Sequence, residues 1–195
     1  MRFLPGLICL LPLLSPLAHA ELIDDVNDRG ELRIAVEADT PPFSFKEDGK
    51  LTGFEVELGQ LLASELDVRA DFVVTDGSDL LTGVESGKYD VALNHISQTP
   101  QLKDRFDFSE PYSQVNEQML ANKDEQPRPL VLVQALTEEK PKVGLPVDLV
   151  IPFQKGNPAF HASLEHALQR IKDDGRLQAL SQKWLSGEAS LAPKP

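Results

Sequence analysis

At 195 residues with a formal net charge of −12, the chain has the size of one modest globular domain. Its acidic residues are spread along the sequence and no basic cluster occurs, which argues against nucleic acid or an anionic membrane as a partner. The dispersed charge is typical of a solvated surface.

The first twenty residues have the pattern of a cleaved export signal. Arg2 precedes a largely apolar run from Phe3 to Leu17, and Ala18-His19-Ala20 fits the small-x-small cleavage rule. The run is shorter than the roughly 20 residues of a membrane span. Cys9, the only cysteine, lies inside it without the small residues that precede a lipidated cysteine. We therefore expect cleavage after Ala20, no membrane span afterwards and no disulfide in the mature chain.

The first half of the mature chain alternates predicted strands and helices. Apolar side chains at every second position predict a strand over 32–36, and a helical stripe from Phe54 to Leu66 predicts a helix with Glu55, Glu57 and Glu65 off the stripe. A strand over 71–75 follows, then a short helix that Ser78 would cap and a strand over 90–94.

The C-terminal part predicts a returning strand from Asp148 to Phe153 and two helices. Asn157 is a good N-cap with Pro158 at the first helical position, and Gly175 separates the two helices. Trp184 continues the apolar face of the last helix, which favours core packing over a role in stacking on a ligand. The alternation indicates an α/β fold: a mostly parallel sheet flanked by helices, with the returning strand antiparallel.

Several motifs occur in the order and spacing of one known family. They are Pro42-Phe43-Ser44-Phe45, Gly49 to Glu57, Gly87-Lys88-Tyr89-Asp90-Val91, Thr99-Pro100, Phe106 to Tyr112, Gly156-Asn157-Pro158, Asp174-Gly175 and Lys183-Trp184. Together they resemble the first lobe of family 3 (amino-acid-type) periplasmic solute-binding proteins of ABC importers. The resemblance implies a type II periplasmic-binding-protein lobe in the periplasm, with a small polar solute and an ABC permease as partners. It implies no enzyme activity and no cofactor.

Most of the second lobe of that family is missing. Only the 38 residues from Ser113 to Val150 lie between the points where the chain would leave and re-enter the first lobe, too few for a ligand-closing domain. We predict a signal peptide at 1–20, one discontinuous lobe at 21–121 plus 147–186, a shortened connector at 122–146 and a disordered tail at 187–195.

Within this middle segment we expect a two-stranded hinge remnant. Glu117 to Ala121 would pair with Leu130 to Val133, and such a ribbon is marginal alone and has edges that invite a second chain. The sequence therefore predicts a homodimer through the exposed hinge strands.

The candidate solute-contacting residues are His95, Ser97, Thr99, Thr40 and Phe43. Ser97 and Thr99 match the family's hydroxyl positions, and His95 lies where open α/β sheets bind ligands, although local hydrogen bonding is an alternative.

Other ligand-holding features of the family are replaced. Leu102 stands where the resemblance places a carboxylate-binding arginine, Thr40 where it places a stacking aromatic residue, and Gly77-Ser78 where it places an aromatic–acid pair. The second-lobe aspartate has no counterpart in the sequence. A leucine cannot supply the charge-assisted hydrogen bonds of an arginine, which contribute about 1.5–3 kcal/mol each.

Three functions remain open. The first is a solute-binding component of amino-acid transport with weak or altered binding, and the second is a repurposed single lobe that dimerises or docks on a partner. The third, an enzyme, has no catalytic constellation in its favour. His161 and Glu165 are one helical turn apart, but a solvated helix surface is favoured over a metal site, so we predict no catalytic or metal-binding residue.

Overall fold

The computed structural model describes residues 21–116 and 146–185. The elements of the first block are α1 (Leu22–Arg29), β1 (Glu31–Val36), β2 (Asp39–Thr40), β3 (Ser44–Glu47), β4 (Lys50–Thr52), α2 (Phe54–Glu65), β5 (Arg69–Val74), α3 (Gly77–Glu85), β6 (Val91–Ala92), α4 (Pro100–Lys103), β7 (Phe106–Phe108) and β8 (Ser113–Asn116). The second block contains β9 (Pro146–Leu149), β10 (Pro152–Gln154), α5 (Pro158–Asp173) and α6 (Arg176–Leu185).

The central sheet has five strands in the order β5-β1-β6-β10-β7. Strand β1 pairs in parallel with β5 on one side and with β6 on the other, while β10 runs antiparallel to both β6 and β7. The predicted α/β lobe with a mostly parallel sheet is confirmed.

Alternation along β1 explains why the lobe has a core on each face of the sheet. Leu32, Ile34 and Val36 belong to a large apolar cluster that includes buried residues of α1, α2, α5 and α6. Ala35 belongs to a second cluster with buried residues of α3 and α4. Successive side chains of a strand point to opposite faces, so both faces of β1 are buried, as in a parallel sheet covered by helices.

The chain leaves the lobe along β8 and returns to it along β9. These two strands form an antiparallel ribbon, which we call the crossing, with Ser113 opposite Leu149 and Asn116 opposite Pro146. The predicted pairing of Glu117–Ala121 with Leu130–Val133 lies outside the described residues. The prediction of one returning strand from Asp148 to Phe153 is wrong in part, because residues 146–149 pair with β8 and only 152–154 join the main sheet. The chain changes partners at Val150 and Ile151, whose N–H groups donate to Ile96 O and to Ser109 Oγ.

Two predicted helix caps differ in detail. Helix α3 begins at Gly77 with Asp76 as its N-cap, so Ser78 lies inside the helix and is exposed. Asn157 does precede α5, but its side chain makes no capping bond and its Oδ1 instead accepts from the backbone N–H of Leu22 at 2.9 Å. The side chain thereby joins α5 to α1, a tertiary contact that local sequence does not reveal.

The predicted signal peptide and disordered tail, and nearly all of the predicted connector, fall outside the described residues. In the part of the chain that the structure describes, no helix is both long and apolar enough to cross a membrane.

Candidate functional site

The candidate site lies where the order of strands reverses direction. The chain moves from β1 to β5 on one side and to β6 on the other, and the loops after β1 and β6 leave the sheet at the same edge. Such a switch point is where open α/β sheets form ligand crevices. The loop after β1 carries Glu37, Thr40 and Phe43, and the loop after β6 carries Asn94, His95 and Ser97.

The loop after β1 is held by its own hydrogen bonds. Thr40 Oγ1 donates to the carbonyl of Ser44 at 3.0 Å, and the Phe43 N–H donates to the Thr40 carbonyl at 2.8 Å. Phe43 is only 2% exposed, and its ring centroid lies 5.2 Å from that of His95. The structure therefore brings Phe43 and His95 together and commits the Thr40 hydroxyl hydrogen to the backbone.

Gly53 fixes the approach of α2 to this loop. Its φ is +127°, and a Cβ built there would lie 2.3 Å from the Phe43 carbonyl oxygen. The same oxygen accepts from the Glu55 N–H at 2.9 Å, and the Pro42 carbonyl accepts from the Phe54 N–H. Only glycine allows this close contact between backbones.

His95 has an unusual backbone and a buried ring nitrogen. Its φ is +40°, in the left-handed region that non-glycine residues seldom adopt. Its N–H donates to Glu55 Oε1 at 2.5 Å, and its Nδ1 is buried with no hydrogen-bond partner among residues 21–116 and 146–185. Burial lowers the pKa of His95 to about 4, so its imidazole is neutral at pH 7.

Glu55 is the carboxyl group on which the two sides of the site converge. The sequence places it off the apolar stripe of α2, but the structure buries it completely. Its Oε1 accepts from the Tyr112 hydroxyl at 2.5 Å as well as from the His95 N–H. Burial raises the pKa of Glu55 to about 7, the two hydrogen bonds oppose that rise and the nearby charge of Glu37 adds to it.

Asn94 adds a second polar contact across the site. Its Nδ2 donates to Glu37 Oε2 at 2.8 Å, and its Oδ1 is buried without a partner in the described part of the chain. Sequence reasoning missed Glu37, Glu55, Asn94 and Tyr112 as members of the site. Glu37 directly follows β1 and Asn94 lies two residues after the end of β6, and these positions near strand ends are the signal that could have identified them.

Thr99 and Leu102 form the start of a short helix beside the site. Thr99 is the N-cap of α4, and its Oγ1 accepts from the Leu102 N–H at 3.3 Å. Leu102 is fully buried in the second apolar cluster, so the position to which the resemblance assigns an arginine is a core position here. Arg105 is held elsewhere, in an ion pair with Glu85. Ser97 is partly buried in the loop after β6.

His161, Glu165 and Trp184, which the sequence analysis also considered, lie outside the candidate site. His161 Nε2 lies 3.7 Å from Glu165 Oε1 on an exposed part of α5. Trp184 packs edge-on against Phe45, with ring centroids 5.9 Å apart. No group of three or more His, Cys, Asp or Glu side chains suited to a metal ion occurs within residues 21–116 and 146–185.

Comparison with known proteins places the chain in a family. The sequence model of bacterial extracellular solute-binding proteins, family 3, matches residues 32–187. The chain belongs to this family.

Curated relatives match about half of the chain. The L-cystine-binding protein TcyJ of Escherichia coli K12 is 40% identical over 107 residues, which are 54% of this chain and 40% of TcyJ. The arginine-binding extracellular protein ArtP of Bacillus subtilis is 31% identical over 98 residues, 50% of this chain and 38% of ArtP. The chain thus matches about two fifths of the length of these relatives.

Solved structures share the fold at low identity. The ancestral amino acid-binding protein AncCDT-1, described as a precursor of cyclohexadienyl dehydratase, has a TM-score of 0.67 at 24% identity over 85% of this chain and 99% of its own. A mutant of the arginine-bound form of domain 1 from TmArgBP has a TM-score of 0.58 at 23% identity, over 77% of this chain and 98% of its own. At these identities the likeness concerns the fold.

Proposed function

We propose that the protein is a periplasmic solute-binding component of amino-acid ABC transport and that its binding of amino acids is weak or altered. A cleaved signal peptide would direct it to the periplasm. Family membership and the identity to TcyJ support the general role. The solute would contact Thr40, Phe43, His95, Ser97 and Thr99, and the permease of an ABC importer would be its membrane partner.

The observation that carries weak binding is the burial of Leu102. Its side chain is 0% exposed and packs with core residues such as Ile96 and Phe106, so it offers no group to a carboxylate. Glu37, which accepts from Asn94 in the site, would repel a solute carboxylate, and Glu55 would add to that repulsion in its ionised form. An amino acid would therefore lose its strongest electrostatic contact in this lobe.

A second candidate is a single lobe that dimerises or docks on a partner and binds no amino acid. The observation in its favour is the short crossing, in which β8 and β9 form a ribbon directly outside the lobe. TmArgBP supports the first candidate instead, because its domain 1 is described in an arginine-bound form.

Thermal or chemical unfolding with added solute separates the two candidates. With L-arginine or another amino acid at 1 mM, we expect a millimolar dissociation constant and a stability gain of no more than about 0.4 kcal/mol. A micromolar binder would gain about 4 kcal/mol under the same conditions, which would contradict weak binding.

TcyJ with L-cystine serves as the positive control for the assay. No gain with any amino acid up to 50 mM would favour the second candidate.

A further inference from the structure

Glu55 connects three parts of the lobe that are distant in sequence. The residue lies in the first turn of α2, and its Oε1 accepts from the His95 N–H in the loop after β6 and from the Tyr112 hydroxyl. Tyr112 comes directly before β8, the strand by which the chain leaves the lobe. One buried oxygen atom thus joins the candidate site to the crossing.

The two donors leave the other carboxyl oxygen unused. Glu55 Oε2 is buried and has no hydrogen-bond partner among the residues that the structure describes. A proton can therefore sit on Oε2 without breaking either bond to Oε1. When that proton is lost, a full negative charge remains in a site with no access to water, and the donors and backbone around it have to adjust.

The backbone of His95 is the part best placed to adjust. Its left-handed φ of +40° is costly for a residue with a side chain and persists only where the surroundings hold it. The bond from its N–H to Glu55 and the ring contact with Phe43 are two of the contacts that hold it.

We propose that Glu55 is a positioning residue that ties the His95 loop to the Tyr112 crossing, so that gain or loss of one proton at Glu55 changes the conformation of that loop. The groups that face it are the His95 backbone N–H from the loop after β6, the Tyr112 hydroxyl from the segment before β8, and Glu37 from the loop after β1. Burial and the charge of Glu37 raise the pKa of Glu55 to about 7. The change in conformation therefore occurs near neutral pH. Any effect of this conformational change on solute binding rests on the proposed function, whereas the coupling between Glu55 and the His95 loop does not depend on it.

Backbone amide NMR of the protein without any solute tests this directly. We expect the His95 amide to show a sigmoidal chemical-shift change between pH 5 and pH 9 with a midpoint near 7. The His95 ring is already neutral in this range because burial lowers its pKa to about 4, so it cannot produce the change. A flat His95 amide across this range overturns the proposal whatever the solute assays give.

Two substitutions assign the change to Glu55. Glu55→Gln keeps an oxygen that accepts both bonds but cannot titrate, so the transition should vanish. Tyr112→Phe removes a donor that favours the ionised carboxylate, so the midpoint should move to higher pH by about one unit.

Glu57→Gln is the matched control, because Glu57 lies on the same helix but pairs with Lys183 at the surface. It should leave the midpoint unchanged. A pH transition of the His95 amide that persists in Glu55→Gln overturns the proposal. A midpoint that does not move in Tyr112→Phe also overturns it. If Glu55→Gln does not fold, the Tyr112→Phe midpoint is the deciding measurement.

Discussion

Glu55 and His95 respond to burial in opposite directions although they share a hydrogen bond. Burial raises the pKa of Glu55 from 4.5 to about 7 and lowers the pKa of His95 from 6.5 to about 4. In each case the buried environment penalises the charged form, which is the anion for Glu55 and the cation for His95. The site is therefore most stable when both groups are neutral.

The two shifts have opposite effects on the pH dependence of stability. Between about pH 4.5 and 7 the folded state holds a proton on Glu55 that the unfolded state has lost, so stability falls as pH rises. Between about pH 4 and 6.5 the unfolded state holds a proton on His95 that the folded state lacks, so stability rises with pH. Over pH 4.5–6.5 these contributions offset each other.

Removing either group should expose the contribution of the other. In Glu55→Gln we expect the free energy of unfolding to rise by up to about 3 kcal/mol from pH 4 to 6.5, relative to the wild type. In His95→Gln it should fall by up to about 3 kcal/mol from pH 4.5 to 7. Urea denaturation at a series of pH values measures both.

His166→Gln, at an exposed position on α5, is the control for replacing a histidine by glutamine away from the site. Parallel profiles for wild type, Glu55→Gln and His95→Gln would show that neither ionisation is altered by folding.

At the scale of secondary-structure elements, Asp90 holds together the end of the sheet opposite the candidate site. Its side chain is fully buried and accepts from Arg29 at the end of α1 at 2.6 Å and from Arg33 Nη2 on β1 at 2.7 Å. It also accepts from the Arg33 backbone N–H at 2.8 Å, which joins the start of β6 to β1. A buried carboxylate with this many donors is well compensated for the loss of water.

We expect Asp90→Asn to lower the free energy of unfolding by about 2–3 kcal/mol. The substitution removes two ion pairs, and the value is lower than for a wholly buried pair because both arginines retain some exposure to water.

Arg69→Ala is the control for this element, since Arg69 is 80% exposed where it meets Glu31. It should change stability by less than about 1 kcal/mol. Urea denaturation at pH 7 measures both variants, and equal small losses would contradict a structural role for Asp90.

At the scale of the whole molecule, the ribbon of β8 and β9 offers strand edges through which two copies of the chain could associate. The lobe has a core on each side of its sheet, and among the described residues Val74 is the one large apolar side chain that is exposed. Residues 21–116 and 146–185 therefore present no large exposed apolar patch that could drive a dimer. Strand addition at the ribbon of β8 and β9 is the route that the topology offers.

We predict a homodimer through the exposed hinge strands, which the sequence places at Glu117–Ala121 and Leu130–Val133. Light scattering coupled to size exclusion should give about twice the monomer mass at micromolar concentration, with dissociation on dilution. Because the contact would be made by backbone hydrogen bonds, its affinity should depend little on salt. A monomer mass that does not change with concentration would contradict the prediction.

The fold was predictable from the sequence because its signals are local and repeated. Alternation at Leu32, Ile34 and Val36 indicated a strand, and the stripe from Phe54 to Leu66 indicated a helix. The same patterns, with motifs in a known order, were enough to predict an α/β lobe of the solute-binding family. Such patterns depend on the period of one element and need no knowledge of its neighbours.

The sequence by itself also showed Leu102 at the position where the family resemblance implies an arginine, and a short middle segment. Only the tertiary structure decided what surrounds these positions. The sequence places Glu55 off the apolar stripe of α2, yet its carboxyl group is buried and accepts from Tyr112, 57 positions away, and from His95, 40 positions away. Asn157 was interpreted as a helix cap, yet it bonds to Leu22. These contacts arise when distant segments pack together, and the pKa of a buried group follows from that packing, not from its place in the sequence.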